Sequence, residues 1–411
     1  MGWVSFILRA GFRRAPVLCG RILRLSRYEM LTVVRESEVS GPQDLKTYKR
    51  FPVVRAWWAD GQLGNLSDEF SDSTHFYRFR EVALSANRRG GFLRSGGQLI
   101  IPGNGLPGSS RVYFANSHVG GIVDQVEHHV LTIRAERLGR LERGIFAGSM
   151  APHNWFHWII DNLSTLYQAR FLPEEFRDYP LLVPLEAKKR ENWLAALDIV
   201  SGGREIVFVE DDRWFQVDDL VRIEAVTRPN PRPLLSRQRA RIGVMAAPLL
   251  DYRNFVLAQL GLDLVGIVPG RRLFIGRKPS GARGYNQEEV FTVAEAYGFE
   301  RVFLEDLTFE DSIRVFREAE LIAGPHGAGW ANMLFCHPAT KAMLWTWEGE
   351  EEDNWYENIA FVAAVDYLQL SVSLVDKRGL DRRVADYHLD PSVFEQGLRA
   401  LLARPSSVAR R

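Results

Sequence analysis

A chain of 411 residues with 46% hydrophobic and 25% charged residues is typical of a soluble globular protein, and its length predicts two domains. The 52 lysines and arginines balance 51 aspartates and glutamates, which excludes the strongly basic surface of a general nucleic-acid binder. The two cysteines, Cys19 and Cys336, are too few for a disulfide framework or a cysteine zinc site, which favours a reducing cytoplasm.

The first segment, residues 1–30, is basic, and its arginines interrupt short apolar runs. No run reaches the about 18 apolar residues of a membrane span, and the early arginines are unlike a signal peptide, so we expect neither secretion nor a spanning helix. Two alternatives remain. With Trp3, Phe6 and Leu8 beside the arginines, the segment either lies on an anionic membrane surface, as a peripheral contact with the inner face of the membrane, or forms an ordinary exposed helix.

Residues 31–232 are predicted to form an N-terminal α/β domain. Four apolar segments separated by glycine-rich turns predict strands between residues 75 and 147: QLIIPG, RVYFANS, HHVLTIRAE and RGIFAG. A long helix, the strand PLLVP, the helix KKRENWLAALDIV and the strand EIVFVE follow. Three prolines in TRPNPRPLL, residues 227–235, indicate a linker, which places the domain boundary near residue 232.

The long helix contains polar residues within an apolar segment, SMAPHNWFHWIIDNLSTLYQ, residues 149–168. Steps of three and four residues place Asn154, His157 and Asp161 along one stripe of an α-helix. An aspartate one turn from a histidine fixes the ring tautomer and raises the basicity of the other ring nitrogen. The pattern therefore predicts His157 with Asp161 as a general base and Asn154 as a contact on the acceptor side. The alternative is that the pair only satisfies itself in a tryptophan-rich core.

Residues 233–375 are predicted to form a second domain. After a helical segment over residues 236–261, strands alternate with helices, which indicates a parallel sheet with crossover helices, a Rossmann-like domain. Residues 376–411 are predicted to form a C-terminal tail with a helix. Ligands of such sheets bind outside the carboxyl ends of the strands, and two loops at these ends have unusual composition.

The first loop is GRKPSGARGYNQEE, residues 276–289. Arg277, Lys278 and Arg283 place cationic groups on a glycine-bearing loop, and arginine side chains match phosphate oxygens in a bidentate way, so the loop suits a diphosphate. The alternative for these cations is a solvated loop. Asn286 is equally consistent with a ligand contact and with a capping box formed with Glu289.

The second loop is LIAGPHGAGWANMLF, residues 321–335, between a strand and a helix. Gly324, Gly327 and Gly329 permit tight turns and close approach of the backbone to a ligand, and the start of the helix offers free N–H groups to an anion. His326 lies among these glycines. It either donates to a phosphate or ribose, or caps the helix.

Three segments carry a resemblance: HNWFHWIID, RLFIGRKPSGARGYNQEE and LEDLTFEDSIRVFREAELIAGPHGAGWANMLF, in this order. Over about residues 145–370 the chain resembles the catalytic domain of glycosyltransferase family 61. The resemblance implies a GT-B-like α/β fold with two facing Rossmann-like domains and a cleft between them. It also implies a nucleotide-sugar donor held mainly by the C-terminal domain, and transfer with inversion. The family motifs fall on the following residues: His157, Asp161, Arg277, Asn286, His326, Gly327, Ala328, Gly329 and Asn332.

The chemistry of such a transfer needs a base for the acceptor hydroxyl and positive charge beside the leaving diphosphate. The sequence contains no Asp-x-Asp motif, and Arg277, Arg283 and the helix start at Gly329 offer positive potential. We therefore expect a metal-independent inverting glycosyltransferase without a cofactor, whose acceptor is a glycan, a lipid-linked glycan or another hydroxyl compound, as in synthesis of capsule or other cell-surface polysaccharide. The alternatives are a catalytically inactive carbohydrate- or nucleotide-binding protein on the same fold, and an oxidoreductase, whose G-x-G-x-x-G turn is missing.

Overall fold

The chain divides into two compact units: residues 1–53 with 66–237, and residues 54–65 with 238–411. A computed structural model describes residues 28–35, 43–44, 53–54, 76–87, 90–101, 122–126, 129–133, 138–147, 151–210, 214–229, 242–279, 283–347, 355–374 and 385–405. The basic segment before residue 28 and the predicted strand RVYFANS lie outside these ranges. Within them, no helix has both the length and the apolar character needed to cross a membrane.

The strands of the first unit follow the order in which the chain enters its sheet. They are β1 (Tyr28–Arg35), β2 (Gln43–Asp44), β3 (Val53–Val54, at the division between the units), β4 (Phe76–Asn87), β5 (Gly90–Ser95), β6 (Gln98–Ile101), β7 (Ile122–Val126), β8 (His129–Ile133), β9 (Leu138–Phe146), β10 (Leu181–Pro184), β11 (Ile206–Val209), β12 (Trp214–Ile223) and β13 (Thr227–Pro229). The strands predicted at QLIIPG, HHVLTIRAE, RGIFAG, PLLVP and EIVFVE are confirmed.

The main sheet of this unit has the order β11-β10-β9-β12-β4-β5-β6-β1-β8-β7, and β2 pairs with β4. Parallel pairing joins β11 to β10, β10 to β9, β9 to β12 and β6 to β1, whereas the other neighbours are antiparallel. The unit is therefore α/β, but it departs from the expected Rossmann-like sheet. Most of its strands are joined by short turns, which produce antiparallel neighbours rather than crossovers.

The helices of the first unit follow β9 and β10. They are α1 (Trp155–His157), a π-helical turn (Trp158–Leu163), α2 (Ser164–Tyr167), 3₁₀ turns (Gln168–Phe171, Glu174–Phe176 and Leu185–Lys189) and α3 (Glu191–Ser201). The helix predicted at KKRENWLAALDIV is confirmed by α3. The linker predicted at residues 227–235 is wrong for Thr227–Pro229, which form β13, because a proline is tolerated at the end of a short strand.

The second unit alternates strands and helices as predicted. Its elements are β14 (Ile242–Met245), α4 (Ala246–Gln259), β15 (Arg271–Ile275), α5 (Gln287–Ala296), β16 (Glu300–Val302), a 3₁₀ turn (Leu304–Asp306), α6 (Phe309–Arg317), β17 (Ala319–Pro325), a 3₁₀ helix (Ala328–Phe335), β18 (Lys341–Trp347), α7 (Trp355–Ala363), β19 (Asp366–Val372) and α8 (Pro391–Ala403). The helix predicted from residue 236 begins only at Ala246, and the helix predicted after Gly329 is 3₁₀ rather than α.

The local sequence explains why these elements form. In α6, Phe309, Ile313 and Phe316 recur at helical spacing and are buried, while the side chain of Thr308 accepts the first free N–H, from Asp311. The parallel strands have apolar residues on both faces, and Phe274 in β15 packs in one core cluster with Trp345 in β18 and Phe394 in α8. Burial of these aromatic rings supplies much of the favourable free energy of folding of the unit.

The strand order of this sheet is β16-β15-β17-β18-β19, with every pair parallel. The chain leaves β15 to form β16 on one side and then returns to form β17 on the other side. The strand order therefore reverses between β15 and β17, and the crevice outside the carboxyl ends at such a reversal is where ligands of open α/β sheets bind. The two loops singled out by composition leave these two strands.

Candidate active site

The polar residues around His157 lie at an irregular helix start. Ala151 has a left-handed backbone, with φ of 45°, and the N–H of Asn154 donates to its carbonyl over 2.9 Å. The side-chain oxygen of Asn154 accepts from the N–H of Phe156 at 2.9 Å, so Asn154 is the N-cap of α1. The predicted stripe of three residues is therefore wrong for Asn154, because its side chain bonds to the backbone at the helix start. Its role on the acceptor side stays a prediction.

His157 and Asp161 are paired as predicted. Nδ1 of His157 lies 2.5 Å from Oδ2 of Asp161. The helix between them widens into the π-helical turn Trp158–Leu163, which the sequence pattern did not predict. Such turns are rare and occur frequently at functional sites. The side-chain amide of Asn162 donates to the carbonyl of His157 over 2.8 Å and so fixes the backbone of this turn.

The second oxygen of Asp161 also has a partner within the unit. The hydroxyl of Thr227, in β13, donates to Oδ1 of Asp161. Asp161 is fully buried, whereas the side chain of His157 keeps 14% of its surface exposed. A buried carboxylate held by two partners orients the imidazole through Nδ1, so Nε2 is the ring nitrogen with which His157 would accept a proton. Thr227 was missed because its segment was interpreted as a linker and it lies 66 residues from Asp161.

The arginine loop begins at the carboxyl end of β15. The guanidinium of Arg277 donates through Nη2 to the carbonyl of His326 over 2.7 Å, which joins the loops that follow β15 and β17. The backbone N–H of Arg277 donates to Oε1 of Gln287 at 2.6 Å. Nε of Arg277 is buried and has no hydrogen-bond partner among the described residues. Gln287 is therefore a further structural part of this loop, and its position next to Asn286 was the available signal.

Arg283 lies beside Arg277. Burial lowers the pKa of Arg283, and the neighbouring positive charge of Arg277 lowers it further. Where the structure describes the chain, neither arginine has a carboxylate partner, whereas the third cation of the loop, Lys278, is paired with Asp306. Two like charges in a partly desolvated place are unfavourable unless an anion joins them. The structure therefore brings together the two predicted arginines as an anion site and leaves Lys278 out of it.

His326 is enclosed by aromatic side chains. Its ring centroid lies 5.0 Å from that of Trp347 and 5.2 Å from that of Tyr356. The hydroxyl of Tyr356 donates to the carbonyl of Gly327 at 3.1 Å. The N-cap of the following 3₁₀ helix is Gly327, without a side-chain cap, so the alternative that His326 caps this helix is wrong. Sequence reasoning missed Trp347, although it ends the strand next to β17.

The glycines of the second loop differ in what requires them. A side chain at Gly324 would approach Cβ of Ile275 to 2.7 Å, and one at Gly329 would collide with Leu304. These two glycines allow strand and helix to pack closely. At Gly327 the nearest atom is Nη2 of Arg277 at 3.6 Å, so this glycine lies at the anion site itself. Donor binding by Gly324, Ala328 and Gly329, and by the buried Asn332, stays a prediction.

The side chain of Asn286 is bonded to the protein. Its Oδ1 accepts from the N–H of Leu389 at 3.0 Å, and its Nδ2 donates to the carbonyl of Leu389 at 2.9 Å and to Oε2 of Glu289 at 2.8 Å. It makes no side-chain cap to the backbone of α5, so the capping box is wrong in its usual form. Both amide hydrogens are engaged, which gives Asn286 a role in holding the loop.

Metal-binding groups were sought in the same residues. In the described ranges, no three histidine, cysteine, aspartate or glutamate side chains come together as a group that could hold a metal ion. The acidic run of residues 350–353 lies outside those ranges. The positive charge that the structure does contain at this sheet edge is that of Arg277 and Arg283.

Comparison with known proteins gives one family. Residues 155–343 match the family described as Glycosyltransferase 61, and the matched range includes the His157–Asp161 pair, both arginines and His326. A search of curated proteins finds no match to the chain. Through residues 155–343, the chain belongs to glycosyltransferase family 61.

Proposed function

We propose that this glycosyltransferase transfers a sugar from a nucleotide-sugar donor to a hydroxyl group of a glycan or lipid-linked glycan, with inversion at the anomeric carbon. The observation that carries the donor class is the pair Arg277 and Arg283, which are close together without a carboxylate partner at the strand-order reversal. The diphosphate of a nucleotide sugar has the charge and the oxygen geometry that two guanidinium groups bind. The base is assigned to the first unit and the donor to the second, as in the GT-B type.

The proposed reaction uses the two groups in one displacement. The acceptor hydroxyl gives its proton to Nε2 of His157 while its oxygen attacks the anomeric carbon. The bond between that carbon and the diphosphate oxygen breaks, and its electron pair stays on the diphosphate. Asp161 stabilises the imidazolium that forms, since its Oδ2 contacts Nδ1, and the arginines stabilise the leaving diphosphate. This scheme places no metal ion in the reaction.

We also propose a cellular setting. The protein acts at the cytoplasmic face of the membrane, where nucleotide sugars are available, in the synthesis of capsule or another cell-surface polysaccharide. Support comes from the sequence alone, through the basic residues interleaved with Trp3, Phe6 and Leu8.

The test is a donor panel with the full chain. Purified protein is incubated with nucleotide sugars that differ in base and sugar and with extracted cell-envelope glycans, and products are scored by mass. The proposal predicts one donor that gives a product whose new linkage, by NMR, has the anomeric configuration opposite to that of the donor. A product with retained configuration contradicts the displacement mechanism. Donor binding without product in every combination favours the inactive binding protein.

A further inference from the structure

A segment near the end of the chain holds the arginine loop. We call Ala385–Asp390 the clasp. Within it, the backbone of Leu389 exchanges two hydrogen bonds with the side-chain amide of Asn286, which acts as an adjacent strand would. These bonds join residues that are 103 positions apart. The family match ends at residue 343, so the clasp lies beyond it.

The clasp contacts the loop at a second point. The N–H of Gly284 donates to Oδ1 of Asp386 over 2.6 Å, and the N–H of Tyr387 donates to the carbonyl of Gly284 over 3.1 Å. The rings of Tyr285 and Tyr387 are stacked, with centroids 5.0 Å apart and planes at 9°. The indole of Trp345 in turn donates to the hydroxyl of Tyr387 at 3.2 Å, which ties the clasp to β18.

The loop needs such support for two reasons. Arg283 has a left-handed backbone, with φ of 55°, which is unfavourable for a residue with a side chain. It also lies beside the like charge of Arg277. A strained conformation persists only where the surrounding structure determines it, and the residue directly after Arg283 is the one that Asp386 and Tyr387 bind.

We propose that the clasp is part of the donor site and that Asn286 and Asp386 are positioning residues, which hold Arg283 beside Arg277 without touching the ligand. The inference rests on the proposed function, because it takes the ligand of the two arginines to be the diphosphate of the donor. It assigns the C-terminal segment a part in donor binding.

The test uses the full chain and inorganic pyrophosphate as the probe, with affinity measured by isothermal titration calorimetry. Loss of the amide bonds in Asn286→Ala raises Kd about tenfold. Asp386→Ala raises Kd several-fold, about fivefold, whereas Asp386→Asn binds as the wild type does, since its amide oxygen still accepts from Gly284. The control is Tyr297→Phe, which loses bonds to Glu395 and Arg399 between α5 and α8 and leaves Kd unchanged.

A double-mutant cycle separates positioning from direct contact. If Asn286 acts through Arg283, then Arg283→Ala with Asn286→Ala binds within about twofold of Arg283→Ala alone. Fully additive losses, an unchanged Kd in Asn286→Ala, or equal losses in Asp386→Asn and Asp386→Ala overturn the inference. If Asn286→Ala does not fold, the two Asp386 variants decide.

Failure of the donor site has a different signature. Pyrophosphate that does not bind the wild type, or that binds Arg277→Ala as tightly as the wild type, overturns the donor site and the clasp together. Weaker binding to Arg277→Ala with wild-type binding to Asn286→Ala overturns the clasp alone.

Discussion

Replacement of Thr227 by valine tests whether the partner of Asp161 matters for chemistry or only for stability. Valine keeps the shape of threonine and removes the hydroxyl that donates to Oδ1 of Asp161. Thr227 is 7% exposed and Asp161 is fully buried, so little water is available to replace the bond. A hydrogen bond to a charged acceptor contributes about 1.5–3 kcal/mol, and we expect Thr227→Val to lower the free energy of unfolding by that amount.

The same change should slow the reaction. Asp161 orients the ring of His157, and loss of a residue that holds such an orienting group typically reduces activity by about tenfold or more. We expect kcat to fall about tenfold, with the KM for the donor unchanged because the proposed donor site lies in the second unit. Urea unfolding measures the first effect, and steady-state kinetics with the preferred donor measures the second.

Thr165 provides a matched control. It is also buried, but its hydroxyl oxygen accepts from the backbone N–H of Val226 at 3.3 Å rather than bonding to Asp161. Thr165→Val should cost about 0.5–1.5 kcal/mol of stability, as for a neutral hydrogen bond, and leave kcat unchanged. If Thr227→Val loses stability but turns over as fast as the wild type, Thr227 has no part in orienting the base and the reasoning is refuted.

Three further predictions concern the metal, the membrane and a helix end. Excess EDTA should leave transfer largely intact, since arginines rather than a cation neutralise the diphosphate; activity abolished by EDTA and restored by Mn²⁺ or Mg²⁺ would instead point to the acidic run of residues 350–353. Full-length protein should co-sediment with anionic liposomes in a salt-sensitive way and residues 30–411 should not; equal, salt-insensitive binding of both argues against a membrane role for the first segment. Ala364→Gly should stabilise the protein by about 1 kcal/mol in thermal unfolding, because Ala364 ends α7 with φ of 62°, whereas Ala363→Gly inside the helix should destabilise it; a lower melting temperature for Ala364→Gly contradicts the strain argument.

Sequence patterns predicted the elements whose cause is local. The alternation of apolar strands and amphipathic helices was sufficient for the parallel sheet of the second unit, and a spacing of four residues was sufficient for the contact between His157 and Asp161. In the first unit the same reasoning found strands but not their antiparallel pairing. Pairing depends on the lengths and directions of the connections, which apolar patterns do not encode.

The unpredicted features depend on distant contacts or on backbone geometry. The hydroxyl of Thr227 reaches Asp161 from 66 residues away, and the backbone of Leu389 reaches Asn286 from 103 residues away. The π-helical turn after His157 has the composition of an ordinary α-helix, so its apolar spacing gave no sign of it. The left-handed conformation of Arg283 is unfavourable locally and exists because the folded chain imposes it.

The central claim is that His157 removes the acceptor proton. Its most direct test is the turnover of His157→Ala at saturating donor, compared with His153→Ala, a change of the nearby histidine whose backbone carbonyl accepts from Arg190 and which has no place in the proposed reaction. The account predicts a kcat for His157→Ala that is lower by about two to four orders of magnitude, as for loss of a general base, and wild-type turnover for His153→Ala. Wild-type turnover in His157→Ala would contradict it.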